Sequence, residues 1–339
     1  MKCADNVASI YCVRFMIPVL FWIAALAAGE TTSHQGFVIG EKLSGSVGFY
    51  HANGMRTADV KVGQHPHEMA LSADQRTVYV SDNGVVWMTE DGPGDNTVSI
   101  IDLASHRRTG VIDLGQYRRP HGIAVDRRTG HIFVTTERPS ALVELDPVSR
   151  KVVRAFDVKG KAPHIIVLGP RSEFAYTSND NSGTISAIRL ATGEVKVIPA
   201  GKRPQGQALS PDGKFVFITL EDDNAIAILD TTKNEIVGRI RTGRSPNRVA
   251  VTPDGKLLVY SMQLAGAVGF ADVAARKQIA EVPVGGQTMS IALSPDAQFA
   301  YTGIQEHDRI SVVSVRDRKL VRSFKTAPGS GPDAIIPLR

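Results

Sequence analysis

The stretch Arg203-Pro-Gln-Gly-Gln-Ala-Leu-Ser-Pro-Asp-Gly213, followed by Lys-Phe-Val-Phe-Ile-Thr219, decides the fold because it returns. Forty-two residues later the chain reads Ser245-Pro-Asn-Arg-Val-Ala-Val-Thr-Pro-Asp-Gly255, then Lys-Leu-Leu-Val-Tyr-Ser261. Both copies hold a proline, a polar residue, a short apolar segment, a Ser/Thr-Pro-Asp-Gly turn and an apolar run rich in β-branched and aromatic residues. Proline presets φ in such a turn and glycine accepts positive φ, so two strands are predicted to meet there. Taking the residue after the leading proline as an anchor gives His67, His121, His164, Gln205, Asn247, Met289 and Asp333, with Thr288 replacing the proline in the sixth copy. The intervals are 54, 43, 41, 42, 42 and 44 residues.

Each copy continues with a polar loop (Glu221-Asp-Asp-Asn224), a third strand (Ala225–Asp230), a second turn (Thr231-Thr-Lys-Asn-Glu235) and a fourth strand from Ile236 to about Arg241. No segment sustains a helical period. Four short strands in each repeat of this length predict an all-β fold, a β-propeller with four-stranded blades. After the seventh anchor only one strand remains, Ala334 to Leu338, and the missing three are found at the other end as Phe37–Glu41, Ser46–Tyr50 and Ala58–Val62. The expectation is seven blades, the last closed by a C-terminal inner strand and N-terminal outer strands.

The segments Tyr79-Val-Ser-Asp82, Tyr176-Thr-Ser-Asn179 and Phe217-Ile-Thr-Leu220, each followed by a strand like Thr97-Val-Ser-Ile-Ile-Asp102, resemble YVTN-type β-propeller repeats. The wider group resembled includes the seven-bladed lactonase-like propellers. The resemblance covers residues 36–339 and implies the fold; the matching residues are scaffold, so it leaves the function open. His65-Pro-His67-Glu68 is similar to His-Pro-His segments of lactonase-like propellers, and strand alternation would aim His65 and His67 one way and Glu68 the other. A proline between them leaves a loop equally open. Tryptophan–aspartate repeats fit poorly, since Trp87 is the only tryptophan after residue 27.

The N-terminus reads as an export signal. Lys2 and Arg14 precede an apolar run from Phe15 to Ala28, and Ala25-Leu26-Ala27 supplies a small-x-small cleavage pattern. The run is about 21 Å long as a helix, short of the ~30 Å hydrocarbon core of a bilayer. Residues 1–27 are therefore expected to be a signal peptide, 28–35 a short flexible leader and 36–339 one propeller domain. Cleavage lowers the formal charge from +5 to +4 and removes both cysteines, Cys3 and Cys12, so disulfides and thiol catalysis are excluded from the mature chain. The expected location is the periplasm or the medium, with no membrane span after signal removal. The basic balance lacks a basic tail, a recognition helix or an aromatic-interleaved patch, which argues against nucleic acid.

In a propeller the loops before inner strands and those between the second and third strands share one face. The anchors ring the channel mouth on that face. His67, His121, His164, Gln205, Asn247 and Asp333 are thus candidate ligand-binding residues, although a water-filled axis also tolerates polar lining. A second ring follows each Tyr-Val-Thr-Asn-like segment: Asn83, Glu137, Asp180, Glu221, Gln263 and Gln305, with Glu41 as the expected counterpart in the closing blade. Imidazoles beside carboxylates suit a divalent first-row metal, which makes His67, His121 and His164 candidate metal ligands. Glu137 and Glu221 are candidate catalytic carboxylates. Arg118, Arg119, Lys161, Lys202, Arg203 and Arg244 precede the inner-strand prolines and would favour an anionic guest if they lean inward. The first interval is about eleven residues longer than the others, and the excess, Val85 to Asp95, carries Trp87 beside the His67 blade. Long loops of this kind serve as lids or binding loops, or are tolerated surface insertions.

No nucleophile elbow, zinc-protease helix, phosphate loop or dinucleotide fingerprint is present. Three readings follow: an exported propeller binding a small ligand (anionic if those cations lean inward) or a protein partner at its top face; a hydrolase or isomerase acting on a lactone or ester through a metal or protonated histidine and a carboxylate; and an accessory subunit of a periplasmic redox system.

Overall fold

The computed structural model describes residues 36–338, so the signal-peptide and leader readings lie outside the described residues. Twenty-eight strands form seven four-stranded antiparallel sheets, and helix among the described residues is limited to three single 3-10 turns. Blade one is β4 (Pro66–Leu71), β5 (Thr77–Asp82), β6 (Thr97–Asp102) and β7 (Arg107–Asp113). The closing blade runs β28 (Pro332–Leu338), β1 (Gly36–Glu41), β2 (Ser46–His51), β3 (Arg56–Lys61) from channel to rim. The seven-bladed all-β architecture and its closure are as the repeats predict; the outer strand of the closing blade begins two residues earlier than expected, at Arg56.

Apolar side chains alternate along the middle strands and pack between neighbouring sheets. Tyr176, Ile185 and Ile198 of blade three meet Val216, Ile218 and Leu220 of blade four in one such layer. The outermost strands are the ones left exposed, and there the face is charged, as in Lys319, Arg322 and Lys325 of β27 (Lys319–Lys325). Charge on an edge strand discourages pairing with another chain.

The inner strands are not regular. Pairing with the second strand slips between Pro66 and Met69, Pro120 and Ile123, Pro204 and Gln207, and Pro246 and Val249. The anchor and the residue after it sit in each slip, a β-bulge. A hydroxyl from the Tyr-Val-Thr-Asn-like segment satisfies the bulge: Ser81, Thr135 and Thr219 accept from the amides of Glu68, Gly122 and Gly206. The same hydroxyls donate to the anchor carbonyls of the next blade, His121, His164 and Asn247, at 2.6, 2.6 and 2.7 Å. At Gly122 a Cβ would lie 2.3 Å from the His164 carbonyl oxygen, so only glycine admits this approach. The repeat residues thus hold neighbouring inner strands, and the anchors on them, at a common height.

In blades one and three the last residue of the second strand fastens its own blade. Asp82 accepts from the Gly63 amide and from Thr97 and Ser99, and burial raises its carboxyl to about 6. Asn179 holds the same position in blade three and donates to Thr184 and Ser186. An acid whose folded pKa is raised favours the native state below its unfolded value, and that contribution is lost as pH rises toward the folded one. Asp82→Asn is therefore expected to keep the fold and to remove a loss of roughly 3 kcal/mol that the parent suffers between about pH 4 and pH 6. Melting both proteins across that window checks this; identical pH dependence would contradict it.

Candidate functional site

All seven anchors line one cavity of about 490 Å³ at the channel mouth, together with Val86, Trp87, Met88 and Thr89 of the long blade-one loop. From the second ring Asp180, Glu221 and Gln263 reach it. His67, His121 and His164 come together: His67 meets His121 edge-on with ring centroids 4.4 Å apart, and His164 lies over His121 at 3.9 Å. His67 Nε2 meets the Val85 carbonyl at 2.9 Å, and His67 Nδ1 meets His121 Nε2 at 2.8 Å. Burial, reinforced by the nearby Lys42 and Arg248 cations, holds the pKa of His67 and of His121 well below the ordinary imidazole value. His164 is lowered in the same way, by burial first and then by His121. All three rings are neutral near pH 7.

Both His67 nitrogens are engaged within the protein, so the trio does not turn three lone pairs toward a common point. Among the described residues no three histidine, cysteine or carboxylate side chains are placed to hold a metal ion. The donor set does not fit the metal expected from the sequence.

Several other expectations need correction. His65 precedes β4 with φ of 47° and its Nδ1 meets the Lys42 carbonyl, so it does not point with His67. Glu41 ends β1 and is buried inside its blade against Ser46, Tyr50 and Arg56. The register Glu41↔Pro332 matches Asp82↔Pro66, which makes Lys42 the counterpart of Asn83. Lys42 lines the cavity and pairs with Asp333 at 3.2 Å, both side chains nearly inaccessible. Asn83 and Glu137 lie beneath the long loop: Asn83 Nδ2 donates to the Pro120 carbonyl and to Glu137. Glu137 faces Arg119 at 3.4 Å. Glu221 remains at the cavity, accepting from Ser245 and paired with Arg203. Burial raises the carboxyl pKa of Glu137, Asp180 and Glu221.

The cations before the inner strands split three ways. Arg119 is fully buried, and its guanidinium donates to the Met88, Glu90 and Gly92 carbonyls of the loop. Arg118 donates to the Gly94 carbonyl. Lys161, Lys202 and Arg244 are exposed and absent from the cavity wall. Only Arg203 reaches it, tied to Asp180, Glu221 and Asp222.

The cations that do stand at the mouth, Lys42 and Arg248, were missed by sequence reasoning. Arg248 follows the Asn247 anchor and donates to Glu68 of blade one at 2.7 and 2.9 Å, an ion pair that spans the channel. Strand alternation would send Glu68 and Arg248 away from the axis; the bulge turns both toward it. The recurring proline-anchor pair marks the bulge in hindsight, but no residue type there announces it.

The profile of the cytochrome D1 heme domain family matches residues 209–334. Among solved structures, the Kuenenia stuttgartiensis hydrazine synthase is similar with a TM-score of 0.71, at 20% identity over 83% of this chain and 92% of that one. The Pseudomonas aeruginosa periplasmic gluconolactonase PpgL gives 0.72 at 15% identity, over 90% of this chain and 99% of that one. The dihydro-heme d1 dehydrogenase NirN gives 0.65 at 17%, over 87% of this chain and 64% of that one. No curated protein matches the sequence. At these identities the likeness is one of fold: the chain is a seven-bladed repeat propeller similar in architecture to lactonase and haem d1 propellers.

Proposed function

We propose that this propeller is an exported protein that binds a small ligand in the cavity at its channel mouth, beneath the Val86–Thr89 loop. One observation carries the reading: seven repeat positions from seven blades and one blade-specific insertion enclose a single polar cavity. A scaffold needs no insertion there, and loops positioned on rigid folds are where binding function concentrates. Trp87 stands at the rim and is the only tryptophan after residue 27, so occupancy is expected to change its emission. Compounds that do so should lose at least about tenfold in affinity in Asn247→Ala, if that amide is an orienting contact. Hits that survive both Asn247→Ala and Gln205→Ala would place the ligand elsewhere. Export is supported by the charged start and apolar run of residues 1–27, and mass spectrometry of secreted or periplasmic protein should find a mature N-terminus at or near Ala28. A full-length mass would overturn it.

A second reading, hydrolysis of a lactone or ester, is favoured by Glu221, a carboxylate at the cavity wall with a raised pKa, and by the likeness to a gluconolactonase. Glu221 rather than Glu137 would then activate water, since Glu221 lines the cavity and Glu137 does not. The same compound panel read for hydrolysis decides it: Glu221→Gln should lower any turnover by roughly 10²-fold or more.

The haem named by the matching family is not what these residues fit. Haem carboxylates need free cations, and the three on this wall are already in ion pairs. His67 offers no free ring nitrogen.

A further inference from the structure

The charges on the cavity wall are already used. Lys42 is held by Asp333, Arg248 by Glu68, and Arg203 by Asp180 and Glu221. An anion entering here would have to compete with a carboxylate for every cation, and at Lys42 it would break a fully buried pair and leave Asp333 unpaired.

The histidines add a second constraint, which is directional. The Val85 carbonyl can only accept, so His67 Nε2 carries the hydrogen of that bond. Burial keeps the ring neutral, which leaves Nδ1 of His67 as an acceptor. The 2.8 Å bond from His121 Nε2 to that atom must then be a donation. His121 is neutral too, so its Nδ1 is a bare acceptor, and this atom is buried without a partner. His164, stacked on His121, likewise has a buried Nδ1 without a partner. Both rings belong to the cavity wall. A buried imidazole nitrogen left unpaired is unfavourable, and what His121 Nδ1 lacks is a hydrogen-bond donor.

We propose that the guest of this cavity is an uncharged, hydroxyl-bearing molecule that donates hydrogen bonds to the His121–His164 wall, and that anions are excluded. This rests on the reading of the cavity as a ligand site and specifies the chemistry of what enters. A hydroxyl donates to the imidazoles and accepts from the amides of Gln205 and Asn247, which a carboxylate cannot do on both sides. Trp87 lines the same cavity, with the Lys42 ammonium over its ring at 5.1 Å from the centroid. The loop takes part, because the Val85 carbonyl sets the tautomers of the histidine chain.

The test has two arms. Nitrogen-15 NMR of the histidine rings near pH 7.5 should show His121 as the tautomer protonated at Nε2; the opposite tautomer overturns the chain of inference. Calorimetric titration then compares neutral sugars and cyclic polyols with their matched sugar-acid carboxylates. The neutral member of each binding pair is expected to win by at least about tenfold, and His164→Phe, which keeps the ring stack, should weaken it by a similar factor. Carboxylates that bind as well as or better than their neutral partners, or neutral binding unchanged in His164→Phe, would overturn the proposal and leave the cavity as a ligand site. Binding by neither class, with no change in Trp87 emission, would overturn both.

Discussion

Deletion of Asp333–Arg339 is expected to abolish the cooperative thermal transition and leave a protein that aggregates. β28 is the inner strand of the closing blade and pairs with β1 through Phe37↔Pro337, Val38↔Ile336 and Ile39↔Ile335. Its loss uncovers Phe37, Val38 and Ile39, all fully buried, and leaves β1 as an unpaired edge on the channel. It also removes Asp333, stranding Lys42 as a buried charge without its carboxylate. β28 further contacts the inner strand of blade one, so the ring opens between its ends. Differential scanning calorimetry of the truncated chain measures this. A melt like that of the parent would mean that closure contributes little and that the remaining blades are self-sufficient.

Arg119→Ala is expected to cost about 3–5 kcal/mol, the range for breaking a buried ion pair from one side. The guanidinium is wholly buried, faces Glu137, and is the shared donor for three loop carbonyls. Removing it leaves Glu137 without its cation and the Met88 and Glu90 carbonyls without that donor, while the Gly92 carbonyl keeps Arg138. Arg119→Lys should recover only part, because an ammonium cannot reproduce the planar fork whose Nη1 reaches Met88 and Glu137 while its Nη2 reaches Glu90 and Gly92. Denaturant unfolding gives the stability change, and hydrogen exchange over residues 85–95 locates it. The amides of Glu90 and Asp95, bonded to the Trp87 and Asn83 carbonyls, should lose protection first. A variant with unchanged loop protection and less than about 1 kcal/mol of destabilisation would show that the loop holds itself. Since Val86 to Thr89 form part of the cavity wall, a freed loop should also weaken whatever binds there.

The two predictions differ in how far they could be foreseen. Closure by β28 follows from counting anchors: the seventh is followed by one strand, and three unclaimed strands stand at the other end of the chain. Arg119 could not be assigned this way. As the basic residue immediately before an inner-strand proline it matched Arg203, whose side chain is largely exposed. It is buried because the insertion in its neighbouring blade folds over it, and the path of an insertion is not written in a repeat.

The sequence by itself determined the number of blades, the strand order, the closing arrangement and the meeting of His67, His121 and His164, since equal repeat positions on successive blades must fall at equal height. The tertiary structure decided what those residues do there. The inner-strand bulge brings Glu68 and Arg248 onto the axis against the expected alternation. A one-residue difference at the end of β1 puts Lys42 rather than Glu41 at the mouth. The loop carbonyl of Val85 occupies a His67 nitrogen that the sequence left open for a metal. Repeats encode backbone register, which is local and periodic; charge pairing and hydrogen-bond direction across the channel join residues as far apart as Glu68 and Arg248, and only the closed ring brings such groups into contact.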